Sequence, residues 1–501
     1  SVRVAARATI GRMELNLYDT KSASLRPLVP LEEGHVGIYL CGPTVQGSPH
    51  IGHLRAAASF DILIRWLRRY GLEVTYVRNV TDIDDKILDK SAEAGEKWWA
   101  LAQRYEREFQ EAYNALGLLP PTIEPRATGH ITDQIEMIER LIDRGHAYPD
   151  GEGSVYFDVS SQPDYGSLTH QNPDDMKSAE GEEMTPGKRD PRDFALWKAS
   201  KPNEPETASW SSPWGVGRPG WHLECSAMSR RYLGDAFDIH GGGIDLRFPH
   251  HENEQAQSHA AGYDFANLWV HNAWVTIAGE KMAKSVGNTL DLESLLTVAP
   301  APVIRFALSS VHHRSTIEWG PRTLELAQKG WDKLSSFVYE ATDTVGNPEV
   351  APDSLTPDEL PSAFTDAMND DLNVAASLAV IHKHVKDGRK ALSSPGDATR
   401  VAEELLLVRS MLDVLGLDPL SPQWVVAEAV SDIGFVEGGE DSSRVRGVLD
   451  TLLQGILDER QVAREEKDWA RADELRNQLA ELGIGVEDGP EGARWILLSD
   501  E

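Results

Sequence analysis

The chain has 501 residues, more than one hydrophobic core usually organises, so we expect several domains. Hydrophobic residues make up 41% and charged residues 26%, two cysteines are too few for a disulfide framework, and no segment approaches the ~18 unbroken apolar residues of a membrane span. A formal net charge of −31 excludes a protein that coats nucleic acid indiscriminately, although one local basic face would still allow RNA to bind.

A β-α-β unit is predicted after a short leader. Residues 1–12 hold three Arg and no acid, and we interpret them as a leader or an extension. The apolar run 36–41 predicts a strand that ends in the Gly- and Pro-containing loop 42–50. Apolar residues at helical spacing follow over 60–67, and the run 73–77 predicts a second strand. This order is typical of the phosphate-binding end of a doubly wound, Rossmann-like α/β sheet.

The rest of the chain is expected to add an insertion, a helical bundle and a small module. We place the α/β domain at 13–320 and interpret a polar, Pro- and Gly-rich region of about 146–219 as an insertion in it. Long amphipathic helices predict a bundle over 321–432, with one helix expected to run through 363–392. The segment 444–501 predicts a mixed α/β module that ends in a strand, a turn and a strand.

Two histidines open the first predicted helix. The tetrapeptide HIGH places His50 and His53 three residues apart on one helical face. There the imidazoles and the free backbone N–H groups of the helix N-terminus can meet a polyphosphate. A histidine pair alone is weak evidence, because short pairs usually decorate a surface, so the interpretation needs a second signature.

The second signature lies in the region of about 273–320. The segment KMAKS puts Lys281 and Lys284 on either side of a turn, where they can hold the phosphates of ATP during displacement. HIGH early and a KMSKS-like loop late resemble the paired signatures of class I aminoacyl-tRNA synthetases. This resemblance implies that the two histidines and the two lysines act in catalysis on ATP, which is used with Mg²⁺. Ala283 stands where the family more often has Ser, and we expect this to affect only the fine tuning of loop closure.

Four residues that are far apart in the sequence form a candidate metal site. Cys41 ends the first predicted strand, Cys225 lies in GWHLECSAM, and His250 and Glu254 are four residues apart in PHHENE, so they face one side of a helix. Taken singly, each is more often a small hydrophobe or a solvated side chain. His251 is adjacent, but only His250 has Glu254 at i+4. With their surrounding sequence the four resemble the zinc ligands of cysteinyl-tRNA synthetases, which implies one Zn²⁺ per chain.

The same resemblance implies how the amino acid and ATP are held. Cysteine and serine have nearly the same shape, so a pocket that rejects by size separates them poorly, whereas soft zinc binds a thiolate strongly and a neutral hydroxyl weakly. The rest of the amino-acid pocket is implied to consist of Gly42, Thr44, Trp221 and His240. The implied ATP-binding residues are His50, Gly52, His53, Gly241, Gly242, Asp245, Lys281 and Lys284.

The implied function is ATP-dependent activation of L-cysteine and its transfer to the 3′-terminal adenosine of tRNA(Cys), by a cytoplasmic monomer without membrane contact. In the C-terminal module, Arg464, Trp469, Asp473 and Asp488 are expected to contact anticodon bases, although a solvated helix face explains each of them almost as well. Two alternatives stay open. One is a mycothiol-pathway cysteine ligase with an amino-sugar acceptor, and the other is a non-catalytic, RNA-binding paralogue. The C-terminal module favours tRNA over an amino sugar, and the retained motifs count against the paralogue.

Overall fold

The computed structural model describes residues 13–171, 186–277, 280–281, 290–394, 396–424, 456–457, 460–461, 463–464, 469–481, 484–489 and 492–497. The predicted leader, 1–12, lies outside these residues. The chain divides into two compact units, Ser1–Ser421 and Pro422–Glu501. Among the described helices, none combines the length and the apolar character that crossing a bilayer demands.

The first elements are a hairpin and the predicted β-α-β unit. Strand β1 (Asn16–Asp19) pairs antiparallel with β2 (Ser24–Pro27). Strand β3 (His35–Leu40) pairs in parallel with β4 (Glu73–Arg78), and the crossover between them is helix α1 (Ile51–Arg69). Five of the six residues of β3 are buried, as expected for a strand that is covered on both faces.

The predicted insertion contains a small antiparallel sheet. Three of its four strands have only three residues, and runs this short show no hydrophobic period, which is why the sequence looked irregular here. Three helices precede the insertion: α2 (Asp85–Ala94), α3 (Trp98–Ala115) and α4 (Ile131–Asp143). The strands of the insertion are β5 (Ala147–Pro149), β6 (Val155–Phe157), β7 (Phe194–Ala199) and β8 (Gly217–Pro219).

Two further strands complete the parallel sheet at the centre of the first unit. After helix α5 (Trp221–Leu233), strand β9 (Ala236–Gly243) joins β3, and strand β10 (Phe265–Asn272) joins β9 after helix α6 (Glu252–Ala260). The order across the sheet is β10-β9-β3-β4, with all neighbours parallel. This sheet confirms the predicted α/β class. Its carboxyl-terminal edge is where open α/β sheets bind ligands.

A three-stranded sheet and two helices follow. Strand β11 (Val275–Ile277) pairs antiparallel with β12 (Glu280–Lys281) and in parallel with β13 (Ile317–Glu318), which gives the order β12-β11-β13. These elements bring the chain from the central sheet to the bundle. The two helices between β12 and β13 are α7 (Leu292–Leu296) and α8 (Ala301–Ser309).

The predicted bundle is present, but the single helix expected over 363–392 is wrong. The chain breaks it at Asp371 and Leu372, which both have φ of 54°, in the left-handed region. The Asp371 carboxylate accepts hydrogen bonds from the Tyr18 N–H at 2.8 Å and from Arg314 Nε at 2.6 Å, and these contacts hold the break. The bundle helices are α9 (Pro321–Val345), α10 (Ser362–Asn369), α11 (Val374–Leu392) and α12 (Ala398–Val414).

A buried arginine joins the bundle to the α/β domain. Arg305 of α8 is fully buried and pairs with Asp61 of α1. Its guanidinium also donates to the carbonyl of Leu415, directly after α12, at 2.8 Å, and to those of Leu116 and Gly117 at 3.0 and 3.2 Å. Burial opposes ionisation of Asp61, but the neighbouring cations outweigh it and lower its pKa to about 2.

The two strands expected in the C-terminal unit are confirmed, while the expected turn, 490–491, lies outside the described residues. Helix α13 (Trp469–Glu481) precedes strand β14 (Ile484–Gly489), which pairs antiparallel with β15 (Gly492–Leu497) over its full length. The predicted module therefore contains a helix that is followed by a hairpin.

Candidate active site and metal centre

The HIGH segment caps helix α1. His50 is the N-cap residue, and its Nδ1 accepts from the Gly52 N–H at 3.1 Å, while His53 Nδ1 accepts from the His50 N–H at 3.2 Å. Two donors at the helix N-terminus are thereby satisfied reciprocally, as in a capping box. The two rings are stacked with their centroids 3.7 Å apart. Because each Nδ1 accepts, Nε2 is the protonated nitrogen of each neutral ring.

The four predicted metal ligands lie together. Their ligand atoms are all within 4.8 Å of one another. Cys41, directly after β3, has its Sγ 3.7 Å from Cys225 Sγ of α5 and 3.2 Å from Glu254 Oε1 of α6. His250 Nε2 lies 2.9 Å from the same Oε1. Cys41 is half-buried and the other three residues are at most 1% exposed, so the cluster opens towards solvent at Cys41.

The pKa values of the residues in this cluster are shifted in different directions. Burial opposes a thiolate at Cys225, but the hydrogen bond from Cys41 and the nearby His250 lower its pKa to about 6. For Cys41, burial and the neighbouring Cys225 raise the pKa well above the usual value. Burial lowers the pKa of His250, but Glu254 and Cys225 outweigh it and raise it to about 10. Cys41 and His250 therefore keep their protons at neutral pH, and a cation that binds to the four ligands has to displace them.

The donor set fits zinc. Two sulfurs, one imidazole and one carboxylate are ligand types that Zn²⁺ takes in tetrahedral sites. The 3.7 Å between the sulfur atoms of Cys41 and Cys225 is close to the roughly 3.8 Å edge that two Zn–S bonds of about 2.3 Å make at a tetrahedral ion. The same distance is far too long for a disulfide.

Two further histidines contact the ligand residues of the cluster. His240, predicted in the amino-acid pocket, is fully buried, and its Nε2 lies 2.7 Å from Glu254 Oε2, so it orients the carboxylate. His251 Nε2 lies 3.3 Å from Cys41 Sγ, and its Nδ1 lies 2.8 Å from His271 Nε2. Cys41, His240, His251 and Glu254 thus form a second, overlapping group that could hold an ion.

A crevice of 610 Å³ adjoins the cluster at the end of β3. Most predicted pocket residues line it, and Trp221 links it to the cluster by stacking on the ring of His250 at 4.1 Å. Arg78 also lines it. Its guanidinium stacks on Tyr113 at 3.9 Å and pairs with Glu124 at 2.6 Å. The predicted residues in the lining are Cys41, Gly42, Thr44, His50, Gly52, His53, Trp221 and Asp245.

Three family models match the chain. Residues 27–329 match the class I (C) tRNA synthetase catalytic domain, 363–419 the DALR domain and 448–495 the cysteinyl-tRNA ligase anticodon binding domain. The cysteine–tRNA ligase of Beutenbergia cavernae is 57% identical over 488 residues, which cover 97% of this chain and 99% of that protein. That of Bifidobacterium longum is 51% identical over 523 residues, covering 96% and 94%. The chain belongs to the cysteinyl-tRNA synthetase family.

A solved structure outside the family has the same fold. The methionyl-tRNA synthetase of Mycobacterium tuberculosis in complex with methionyl-adenylate superposes with a TM-score of 0.54 at 17% identity, over 80% of this chain and 93% of that one. At this identity the likeness concerns the fold alone.

Close packing explains why residues 241 and 242 of β9 are glycines. A Cβ at Gly241 would lie 2.1 Å from the Phe60 ring, and one at Gly242 would lie 2.9 Å from the His251 ring. Within the described residues, the crevice lining includes Gly243 but neither of these two glycines, which were predicted to bind ATP. Arg78, Lys86, Lys90 and Tyr113 also line the crevice and were not predicted from the sequence.

The remaining predicted residues are two lysines and four residues of the C-terminal unit. Lys281 ends β12, and Lys284 lies outside the described residues. In the C-terminal unit, Trp469 begins α13 with 59% of its surface exposed, and Asp473 on the same helix pairs with Arg476 at 3.8 Å. Arg464 is half-buried, and Asp488 lies on β14.

Proposed function

We propose that the chain is a cysteine–tRNA ligase that activates L-cysteine with MgATP and esterifies it to the 3′-terminal adenosine of tRNA(Cys). The observation that carries this proposal is the donor group of Cys41, Cys225, His250 and Glu254, which adjoins a crevice lined by the HIGH histidines. A nucleotide-binding edge and a thiol-selective donor set at the same place suit cysteine activation.

One Zn²⁺ per chain is proposed at this donor group. When bound, zinc supplies a soft Lewis acid that prefers a thiolate to a neutral hydroxyl, which would separate cysteine from serine. His240 supports the site by fixing the second oxygen of Glu254. Trp221 covers His250 on the side of the crevice, and with Gly42 and Thr44 it would shape the space for the substrate.

The residues of the chain would act in two steps. In the first, the carboxylate of cysteine attacks the α-phosphorus of ATP and pyrophosphate leaves. The Nε2 donors of His50 and His53, at the positive end of α1, suit the charge that develops on the phosphates, and Lys281 and Lys284 are proposed to complete this stabilisation. In the second step, the 2′-hydroxyl of the terminal adenosine attacks the carbonyl carbon, and AMP leaves.

The partner is proposed to be tRNA(Cys), read by the C-terminal unit. The match of 448–495 to an anticodon binding domain supports this, and Arg464, Trp469, Asp473 and Asp488 remain proposed contacts. The same match does not favour the amino-sugar ligase, and the intact donor group does not favour the non-catalytic paralogue. We further propose a cytoplasmic monomer.

Aminoacylation with the purified chain tests the proposal. Radiolabelled cysteine should be transferred to a tRNA(Cys) transcript, but not to an amino-sugar acceptor. Transfer to the amino sugar alone would establish the alternative ligase. A chain without cysteine-dependent pyrophosphate exchange would support the non-catalytic paralogue.

A further inference from the structure

A second cavity lies beside the active-site crevice. It has a volume of 590 Å³ and shares Gln46, His50 and Lys90 with the crevice, so a ligand that leaves the crevice past these residues enters the cavity directly. Both volumes fall within the range of about 300–1,000 Å³ that is usual for small-ligand sites. The two spaces therefore suit consecutive groups of one extended ligand.

One wall of this cavity is a cation stacked on an aromatic ring of α3. The Cζ atom of Arg104 lies 4.3 Å from the centroid of the Tyr105 ring. Arg104 also pairs with Glu96 at 2.9 Å and with Glu108 at 3.5 Å, and these two carboxylates restrain the guanidinium over the ring. Guanidinium planes and aromatic rings are the surfaces on which proteins stack unpaired nucleobases.

The boundary between the two spaces can receive a phosphate. Lys90 Nζ donates to the carbonyl oxygen of Gln46 at 3.0 Å, which fixes the ammonium group at the passage. An ammonium has three N–H donors, so this bond does not exhaust its capacity, and a phosphate oxygen can accept another. Glu93, three residues after Lys90 on α2, also lines the cavity and offers a carboxylate of the kind that accepts from the exocyclic amino group of cytosine.

We propose that the cavity binds the nucleotide that precedes the terminal adenosine of the acceptor RNA, with its base on the Arg104–Tyr105 stack and its phosphate at Lys90. This inference rests on the proposed function, because the terminal adenosine has to enter the crevice that holds the cysteinyl adenylate. The nucleotide on its 5′ side must then lie at the border of the crevice. The second cavity meets this requirement and carries both a stacking surface and a cation.

Pyrophosphate from the first step has the same phosphate chemistry and is the other candidate occupant. It has no base, so it would make no use of the stacked wall. The two occupants therefore predict losses in different half-reactions, and one experiment separates them.

The test compares the double variant Arg104→Ala/Tyr105→Leu with Arg107→Ala, an exposed arginine on the same helix that lines neither space. For the double variant we expect cysteine-dependent pyrophosphate exchange within about twofold of the unaltered protein, which also reports an intact fold. Its kcat/KM for tRNA should fall about tenfold, the usual worth of one stacked base. Arg107→Ala should change neither rate.

A tRNA with an abasic penultimate nucleotide supplies the second arm. The unaltered protein should lose about tenfold with it, and the double variant should lose little more, because both changes remove the same contact. Fully additive losses, or an equal loss in Arg107→Ala, would overturn the inference. A raised KM for pyrophosphate with unchanged tRNA charging would assign the cavity to pyrophosphate. Absence of exchange in the unaltered protein would instead overturn the proposed function, and this inference with it.

Discussion

Gly241 tests whether the glycine run of β9 serves packing or nucleotide binding. A Cβ added there would lie 2.1 Å from Cζ of Phe60 on α1, whereas carbon atoms in contact normally stay about 3.5–4.0 Å apart. Phe60 is only 2% exposed, so its ring has no solvent space to move into, and the strand and helix would have to separate. We expect Gly241→Ala to destabilise the protein by about 1–3 kcal/mol, the usual cost of an overpacked core.

The assay is the urea unfolding midpoint together with the KM for ATP in pyrophosphate exchange. Phe60→Leu removes the edge of the ring, so the double variant should recover most of the stability that Gly241→Ala loses. Gly129→Ala is the matched control, because a Cβ there meets nothing within 4 Å, and its stability should change by less than about 0.5 kcal/mol. An unchanged midpoint for Gly241→Ala, with a raised KM for ATP that Phe60→Leu does not restore, would refute the packing account.

Four further predictions concern the bundle junction, the metal, the pocket and the C-terminal unit. The pKa of Asp61 is about 2 in the folded protein against an ordinary 3.8, so its ionised form adds about 2 kcal/mol to the free energy of unfolding above pH 4. This contribution is lost as the pH falls towards 2, and Asp61→Asn should remove the corresponding pH dependence from the unfolding midpoints. Cys225→Ser should lower the zinc content measured by mass spectrometry, since a hydroxyl is a poorer zinc ligand than a thiolate. Trp221→Leu removes the stack on His250 and should raise the KM for cysteine more than the KM for ATP in exchange assays. Deleting 422–501 should preserve exchange and impair tRNA charging, because the first unit is compact in itself.

Patterns that repeat along the chain predicted most of the fold. The buried run of β3 and the helical spacing of α1 gave the β-α-β unit, because parallel strands are apolar throughout and crossover helices are amphipathic. The break between α10 and α11 escaped prediction. Asp371 adopts its left-handed φ because Tyr18 and Arg314, distant in sequence, bind its carboxylate. Hydrophobic spacing within one segment cannot predict contacts with residues that are distant in the sequence.

In the candidate site, too, local spacing predicted some features, and others depend on contacts between distant segments. His250 and Glu254 were paired from their spacing, and their side chains lie 2.9 Å apart. His240 was predicted in the substrate pocket from the resemblance; its Nε2 lies 2.7 Å from Glu254 Oε2, and its place in the pocket stays a prediction. Lys90 lines the crevice only because α2 packs beside the loop after β3, and nothing in its own segment indicates this.

Cysteine-dependent ATP–pyrophosphate exchange, measured before and after removal and return of zinc, tests the central claim most directly. The account predicts exchange with cysteine and little with serine, loss of the cysteine activity on chelation, and its recovery with zinc, because the donor group of Cys41, Cys225, His250 and Glu254 selects a thiolate through the metal. Exchange that proceeds equally well without metal, or with serine as readily as with cysteine, would contradict it.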